Sequence, residues 1–379
     1  MTEEMYTYWL HNIPTIGNKT CVILMKRFGN AEAVYHMTKE QGKGILNRKQ
    51  WEAMQNTKQN WDLQKEYEKV LKKGIGMVLL GEKKYPARLG KIANPPFVLY
   101  YLGKMPEENR VSLAIIGARE CSEYGRYMAQ AFAERAVRED VDIISGMARG
   151  IDGIGQRAAL EAGGQTYAVL GCGVDICYPY ENRNLYENIK ETGGILSPYP
   201  PGMKPAKTMF PYRNEIVAGL SDAVLVVEAR QKSGTLITVD MALEQGKDVY
   251  AVPGRLTDRL SDGCNYLIRQ GAGIALTPED VLMEMKLLKG MQEVSPAESA
   301  KRKREMETAN LQEDNLWEAE SGVLAFVDFY PLSSDEIYEK MLLDGHNITL
   351  AELLGELVRL CMAGKVKQVD GNTFVKGAK

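Results

Sequence analysis

The residues best suited to chemistry lie in the segment Ser197-Pro-Tyr-Pro-Pro-Gly-Met-Lys-Pro-Ala-Lys207-Thr-Met-Phe210-Pro-Tyr-Arg213-Asn214, which interleaves bases with aromatic rings. Lys204, Lys207 and Arg213 offer cations to phosphates, while Phe210 or Tyr212 offers a flat surface for a base. Stacking of a base on an aromatic ring contributes about 1–3 kcal/mol and tolerates any sequence, which suits a single strand. Phe210 has an equal second reading as a hydrophobic staple beneath a helix that begins near Pro211. Four glycine-rich loops add to this segment: Gly117-Ala-Arg119, Ser145-Gly-Met-Ala-Arg-Gly-Ile-Asp152, Gly171-Cys-Gly173 and Ser233-Gly-Thr235. Glycine lets the backbone approach a ligand, and free amides at a helix start favour an anion, although glycine also ends strands for steric reasons alone. Four loops together, with Arg119 and Arg149 among them, point to a phosphate site.

Other chemistries find little support. A dinucleotide site wants G-x-G-x-x-G after the first strand, but the chain reads Gly117-Ala-Arg119, with a guanidinium where a pyrophosphate needs room. A Walker A loop is absent. His11, His36 and His346 lie outside the segment that carries the loops, so no Ser-His or Cys-His pair and no metal cluster is expected there. The cysteines at 21, 121, 172, 177, 264 and 361 are scattered and read as reduced thiols. Asp152 reads as a helix cap after Gly150, and Glu228 as a strand-end acid holding a backbone amide or an arginine. No catalytic residue, cofactor or metal is expected.

The elements that must position the loops follow from hydrophobic runs. Leu113–Gly117, Val141–Gly146, Thr166–Gly171, Gly194–Ser197, Ala223–Glu228, Asp248–Val252 and Gly273–Leu276 are near-continuous apolar runs, with helix-length segments between them. Such strands are buried on both faces, which predicts a doubly wound parallel sheet whose ligands sit at the carboxyl edge. Met77–Leu80 and Phe97–Tyr101 supply one or two further strands. With 379 residues, the chain divides into a helical unit (1–72), the α/β unit (73–289), a charged linker (290–320) and a C-terminal unit (321–379). Ile13-Pro-Thr-Ile-Gly17 partly matches a helix–hairpin–helix turn, or is the turn of a small helical bundle. The last unit has a helix capped at Ser333, another from Thr349 and a hairpin turning at Asp370-Gly371, the order of a winged helix. Its second helix carries Glu352 and Glu356, so that unit is expected to bind protein or nothing strongly. The formal net charge of −3 means that phosphates must be held by a local basic cluster. No signal peptide or membrane-spanning run is seen, and a cytoplasmic location is expected.

Taken in order, these motifs resemble the DNA-processing protein A (DprA/Smf) family. The resemblance is densest between Ala114 and Ala275 and includes Tyr178-Pro-Tyr-Glu-Asn182, Phe210-Pro-Tyr-Arg-Asn214 and Val252-Pro-Gly254. It implies an extended Rossmann-like fold and a cofactor-free homodimer that binds single-stranded DNA and helps load RecA recombinase during natural transformation. By motif position it implies that Arg119, Ser145 with Gly146, Lys207, Phe210, and Arg213 with Asn214 line the DNA pocket. Gly117 and Arg149 join them from the same loops, and Gly171, Gly173, Ser233, Gly234 and Thr235 are secondary phosphate-loop candidates. The chain departs from the pattern at Gln156, Pro198 and Glu215, the last placing an acid beside the pocket. The alternative is a nucleoside monophosphate sensor or an enzyme similar to the cytokinin-activating phosphoribohydrolases. Against it, no glutamate follows Ser233-Gly-Thr235 at the spacing that such an enzyme's loop requires.

Overall fold

The computed structural model describes residues 1–293 and 322–377. At its centre runs a sheet built from β1 (Gly76–Leu79), β2 (Val98–Gly103), β3 (Ser112–Ile116), β4 (Asp142–Ser145), β5 (Thr166–Val169), β6 (Gly194–Ser197), β7 (Ala223–Val226), β8 (Asp248–Ala251) and β9 (Gly273–Ile274). The order across the sheet is β1-β2-β6-β5-β4-β3-β7-β8-β9. Strands β3 to β9 pair in parallel, and β2 and β1 extend the β6 edge antiparallel. The doubly wound sheet expected from the apolar runs is thus present, and the two additional strands lie together at one edge.

Alternation along the strands builds a core on each face of the sheet. Leu113 and Ile115 of β3 pack with α8 (Glu123–Arg138), α9 (Ile151–Glu161) and α14 (Pro278–Glu293). Ala114 and Ile116 point the other way, toward α7 (Ala87–Gly90), α11 (Phe210–Leu220), α12 (Gly234–Glu244) and α13 (Asp262–Arg269). Successive strand residues face opposite sides, so a run apolar at every position needs helices on both.

The N-terminal helices are α1 (Glu3–His11), α2 (Asn18–Phe28), α3 (Ala31–His36), α4 (Lys39–Gly42), α5 (Arg48–Asn60) and α6 (Leu63–Lys72), and all but α4 share a hydrophobic cluster with β2 and α10 (Arg183–Thr192). The turn at 13–17 buries Ile13 and Ile16. Asn18 donates to the Pro95 carbonyl at 2.7 Å, so the turn is occupied in packing against the α/β unit. Of the two sequence readings, that placement favours the turn of a small helical bundle.

His11 meets the Tyr100 hydroxyl at 3.0 Å, and burial pushes its imidazole down to about 4. The unfolded chain therefore takes up a proton near pH 6.5 that the folded chain refuses, and stability is lost as pH falls from about 6.5 toward 4. Urea unfolding at about pH 7 and about pH 5 is expected to show the wild type losing about 1–2 kcal/mol more than His11→Asn over that interval. Equal losses would contradict the enclosed imidazole.

The last unit contains helices Ser334–Leu343 and Leu350–Met362 and strands β10 (Leu332–Ser333), β11 (Val366–Asp370) and β12 (Thr373–Lys376), ordered β10-β12-β11. Ser333 and Thr349 each form a capping box with the glutamate three residues on. The unit meets the α/β core through Phe329, whose ring lies 4.8 Å from Tyr127 and 5.7 Å from Tyr124, and through an Asp328–Arg255 ion pair at 3.1 Å. Most of the charged linker expected at 290–320 lies outside the described residues.

Candidate functional site

Strands β3 to β6 wind in one direction from β3 and β7 to β9 in the other, so the topology switches between β3 and β7. Ligands of open α/β sheets bind at such a point, outside the carboxyl ends of the strands. A cleft of about 570 Å³ opens there. Its lining includes Gly117 and Arg119 after β3, Gly146 after β4, and Ser233, Gly234 and Thr235 at the start of α12. Lys207, Phe210, Arg213 and Asn214 complete it from the proline-stiffened segment.

The loop after β4 is tightly braced. The Ser145 hydroxyl donates to the Ile115 carbonyl at 2.7 Å, and the Gly146 amide donates to Asp152 at 3.2 Å. Met147 has a left-handed φ of 53°, and Asn182 donates to the Met147 and Ala148 carbonyls at 3.0 and 3.2 Å. This bracing carries the backbone of Gly146 against Arg213. A Cβ at Gly146 would lie 1.4 Å from Arg213 Nη1, so the guanidinium occupies the place of a side chain.

Arg213 is 5% exposed and donates through Nη1 to the Val169 carbonyl at 3.2 Å. Burial presses its guanidinium below its usual range, opposed chiefly by the charge of Asp152. Asp152 is buried too; burial pushes its carboxyl up, and Arg213 is the first influence holding it down. These opposite charges steady each other beneath the cleft floor.

Phe210 is the first residue of α11 and half-buried. Its ring rests on Gly171, where a Cβ would stand 2.8 Å away, and lies 5.8 Å from the ring of Tyr178. The Arg213 guanidinium lies 5.6 Å from its centroid. The staple and stacking readings are therefore compatible, because the ring is seated on the protein and still lines the cleft. Tyr212, the other aromatic weighed for stacking, turns away and donates its hydroxyl to the Asn94 carbonyl at 3.2 Å.

The structure separates the remaining candidates. Arg119 and Lys207 are exposed cations on the cleft. Arg149 lines an adjoining recess with Arg119, Tyr178 and Phe210, and pairs with Glu181 at 3.5 Å. Ser145 is fully buried with its hydroxyl turned to β3, so its side chain does not reach the cleft. Gly173 gives its amide to the Met203 carbonyl at 2.8 Å and serves packing. Asp152 is not the cap expected of it: Gly150 holds the N-cap of α9, and Asp152 faces back to Gly146. Glu228 holds the amide of Ser122 at 2.9 Å.

Among the departures from the family pattern, Glu215 does not stand beside the pocket. It lines a separate cleft with Arg88, Lys91, Glu244 and Lys247. Two residues beyond the inward Arg213, it lies about 200° round the helix. Gln156 is buried beneath the sheet, donating to Thr166 and the Tyr167 carbonyl, and Pro198 is buried after β6. Sequence reasoning missed Tyr178, Ile237 and Thr238 as cleft residues. For Thr238 the available signal was its i+3 spacing from Thr235 on one helix. Among the described residues no group of three or more acidic, histidine or cysteine side chains is placed to hold a metal. No helix there is long and apolar enough to cross a membrane.

Comparison with known proteins finds relatives in sequence and in fold. The family model for DNA recombination-mediator protein A matches residues 76–286. The chain is 42% identical over 200 residues to DNA processing protein DprA of Streptococcus pneumoniae (strain ATCC BAA-255 / R6), covering 53% of this chain and 71% of that protein. To protein Smf of Escherichia coli (strain K12) it is 40% identical over 199 residues, covering 52% of this chain and 53% of that one. The X-ray structure of the S. pneumoniae protein superposes with a TM-score of 0.66 at 33% identity, covering 75% of this chain and 98% of that chain. DNA processing protein A from Helicobacter pylori, described for its single-stranded DNA binding mode, gives 0.52 at 30% identity, covering 57% and 96%.

Proposed function

The chain belongs to the DNA recombination-mediator protein A family, and from that premise we propose that it binds single-stranded DNA in the cleft between β3 and β7. The observation that carries this reading is the placement of Phe210, seated on Gly171 yet lining a cleft with the exposed cations Arg119 and Lys207. An aromatic platform beside backbone-tracking cations is the arrangement by which proteins hold single strands without reading sequence. The cations hold phosphates, Phe210 takes a base, and Asn214 supplies polar contact at the start of α11.

The biological setting is the processing of DNA during natural transformation. In this reading the protein acts as a non-catalytic homodimer in the cytoplasm and passes the covered strand to RecA recombinase. The relatives named as DNA processing proteins support that setting, as does the H. pylori structure described for single-strand binding.

Salt dependence tests the assignment of the cations. Arg119→Ala is expected to flatten the log–log slope of single-strand affinity against salt by about 0.7, the increment for one neutralised phosphate. Fluorescence anisotropy across a salt series measures it. A slope equal to that of the wild type would remove Arg119 from the phosphate contacts.

A further inference from the structure

Helix α12 begins without the cap that its sequence offers. Ser233 sits at the N-cap with extended backbone, yet its side chain makes no capping bond, and its Oγ is buried without a partner. At α8, by contrast, the Ser122 Oγ accepts the Gly125 amide at 3.0 Å. The first amides of α12, at Gly234 and Thr235, have no acceptor among the described residues. A helix start with free amides carries partial positive charge and attracts an anion.

Independent observations in the same cleft point to a ligand. Thr238 lines it, is 4% exposed, and makes no side-chain hydrogen bond among the described residues. Thr235, one turn before it, lines the cleft as well. Arg213, also in the lining and 5% exposed, has an Nε without a partner. A buried donor left unmade costs free energy that a bound acceptor recovers. A Cβ at Gly234 would meet nothing within 4 Å, so open space stands before the turn. Asp152 is the one carboxylate in the lining among the described residues, and it is already engaged by the Gly146 amide and the charge of Arg213.

We propose that the first turn of α12, with Thr235 and Thr238, is a second phosphate seat in this cleft. It takes another phosphate of the strand whose base stacks on Phe210, and it therefore rests on the single-strand reading above. The phosphate is either an internal diester or the terminal monoester of a strand end. Both present the same acceptor oxygens to the turn.

The test uses the full chain and dT oligomers carrying either a 5′-phosphate or a 5′-hydroxyl, titrated by fluorescence anisotropy. Gly234→Asp sets a carboxylate in the open space and is compatible with a helix start, where acids are favourable. It is expected to weaken single-strand binding about tenfold, the equivalent of about 1.4 kcal/mol. A double variant, Thr235→Val with Thr238→Val, removes the hydroxyls with little change of shape and is expected to weaken binding about threefold to fivefold. Losses that are equal for both oligomers assign the seat to an internal diester. Losses confined to the 5′-phosphorylated oligomer assign it to a strand end. Unchanged affinity in both variants, with the wild type binding, overturns the seat and leaves the single-strand reading standing. A wild type that fails to bind either oligomer overturns both.

Discussion

Gly146→Ala is expected to cost about 2–3 kcal/mol of stability and to remove single-strand binding from whatever fraction still folds. The added methyl would fall 1.4 Å from Arg213 Nη1. The backbone cannot yield easily, because Ser145 is tied to Ile115 and the Gly146 amide to Asp152. The arginine must therefore leave its seat, and Asp152 loses the main cation that offsets its burial. Removing the partner of a buried charge is costly because the remaining charge stays desolvated. Urea unfolding measures the stability loss, and anisotropy on the folded variant measures binding. A wild-type midpoint would mean that the guanidinium has another berth, contrary to the seat described here.

Phe210→Ala addresses the other half of the site. It is expected to weaken binding by about 1–3 kcal/mol for dT, dA and dC oligomers alike, since every base has a face to stack. The ring is half-buried and packs on Gly171 and Tyr178, so a modest stability loss accompanies the change. Affinity and unfolding midpoint should therefore be measured on the same preparation. Wild-type affinity in the variant would reduce Phe210 to a staple. A loss confined to one base would instead indicate edge recognition.

These two residues also mark how far the sequence could be read. The parallel sheet was legible because β3, β4, β5 and β7 carry near-continuous apolar runs, a pattern that requires cover on both faces, and every position of the four strands is buried. The carboxyl-edge glycine loops and the Lys207–Arg213 segment were legible for the same reason, since the topology leaves them one edge to occupy. Side-chain direction was not legible. Ser145 ends a buried strand and turns its hydroxyl to a neighbouring strand, which depends on pairing with β3 that no local pattern encodes. Gly173 looks like a phosphate loop in sequence, but its amide is committed to Met203, 30 residues on. The Glu215 placement required knowing the rotation of α11, which is fixed by the inward Arg213. Tyr178 joined the cleft only through tertiary packing of distant segments.

Binding of a labelled oligo-dT beside its duplex counterpart, each titrated at low and physiological salt, tests the central claim most directly. The account predicts tight binding of the single strand, weaker binding of the duplex, and a marked loss of affinity as salt rises. Equal affinity for both forms, or no binding even at low salt, would contradict a single-strand cleft built around Phe210.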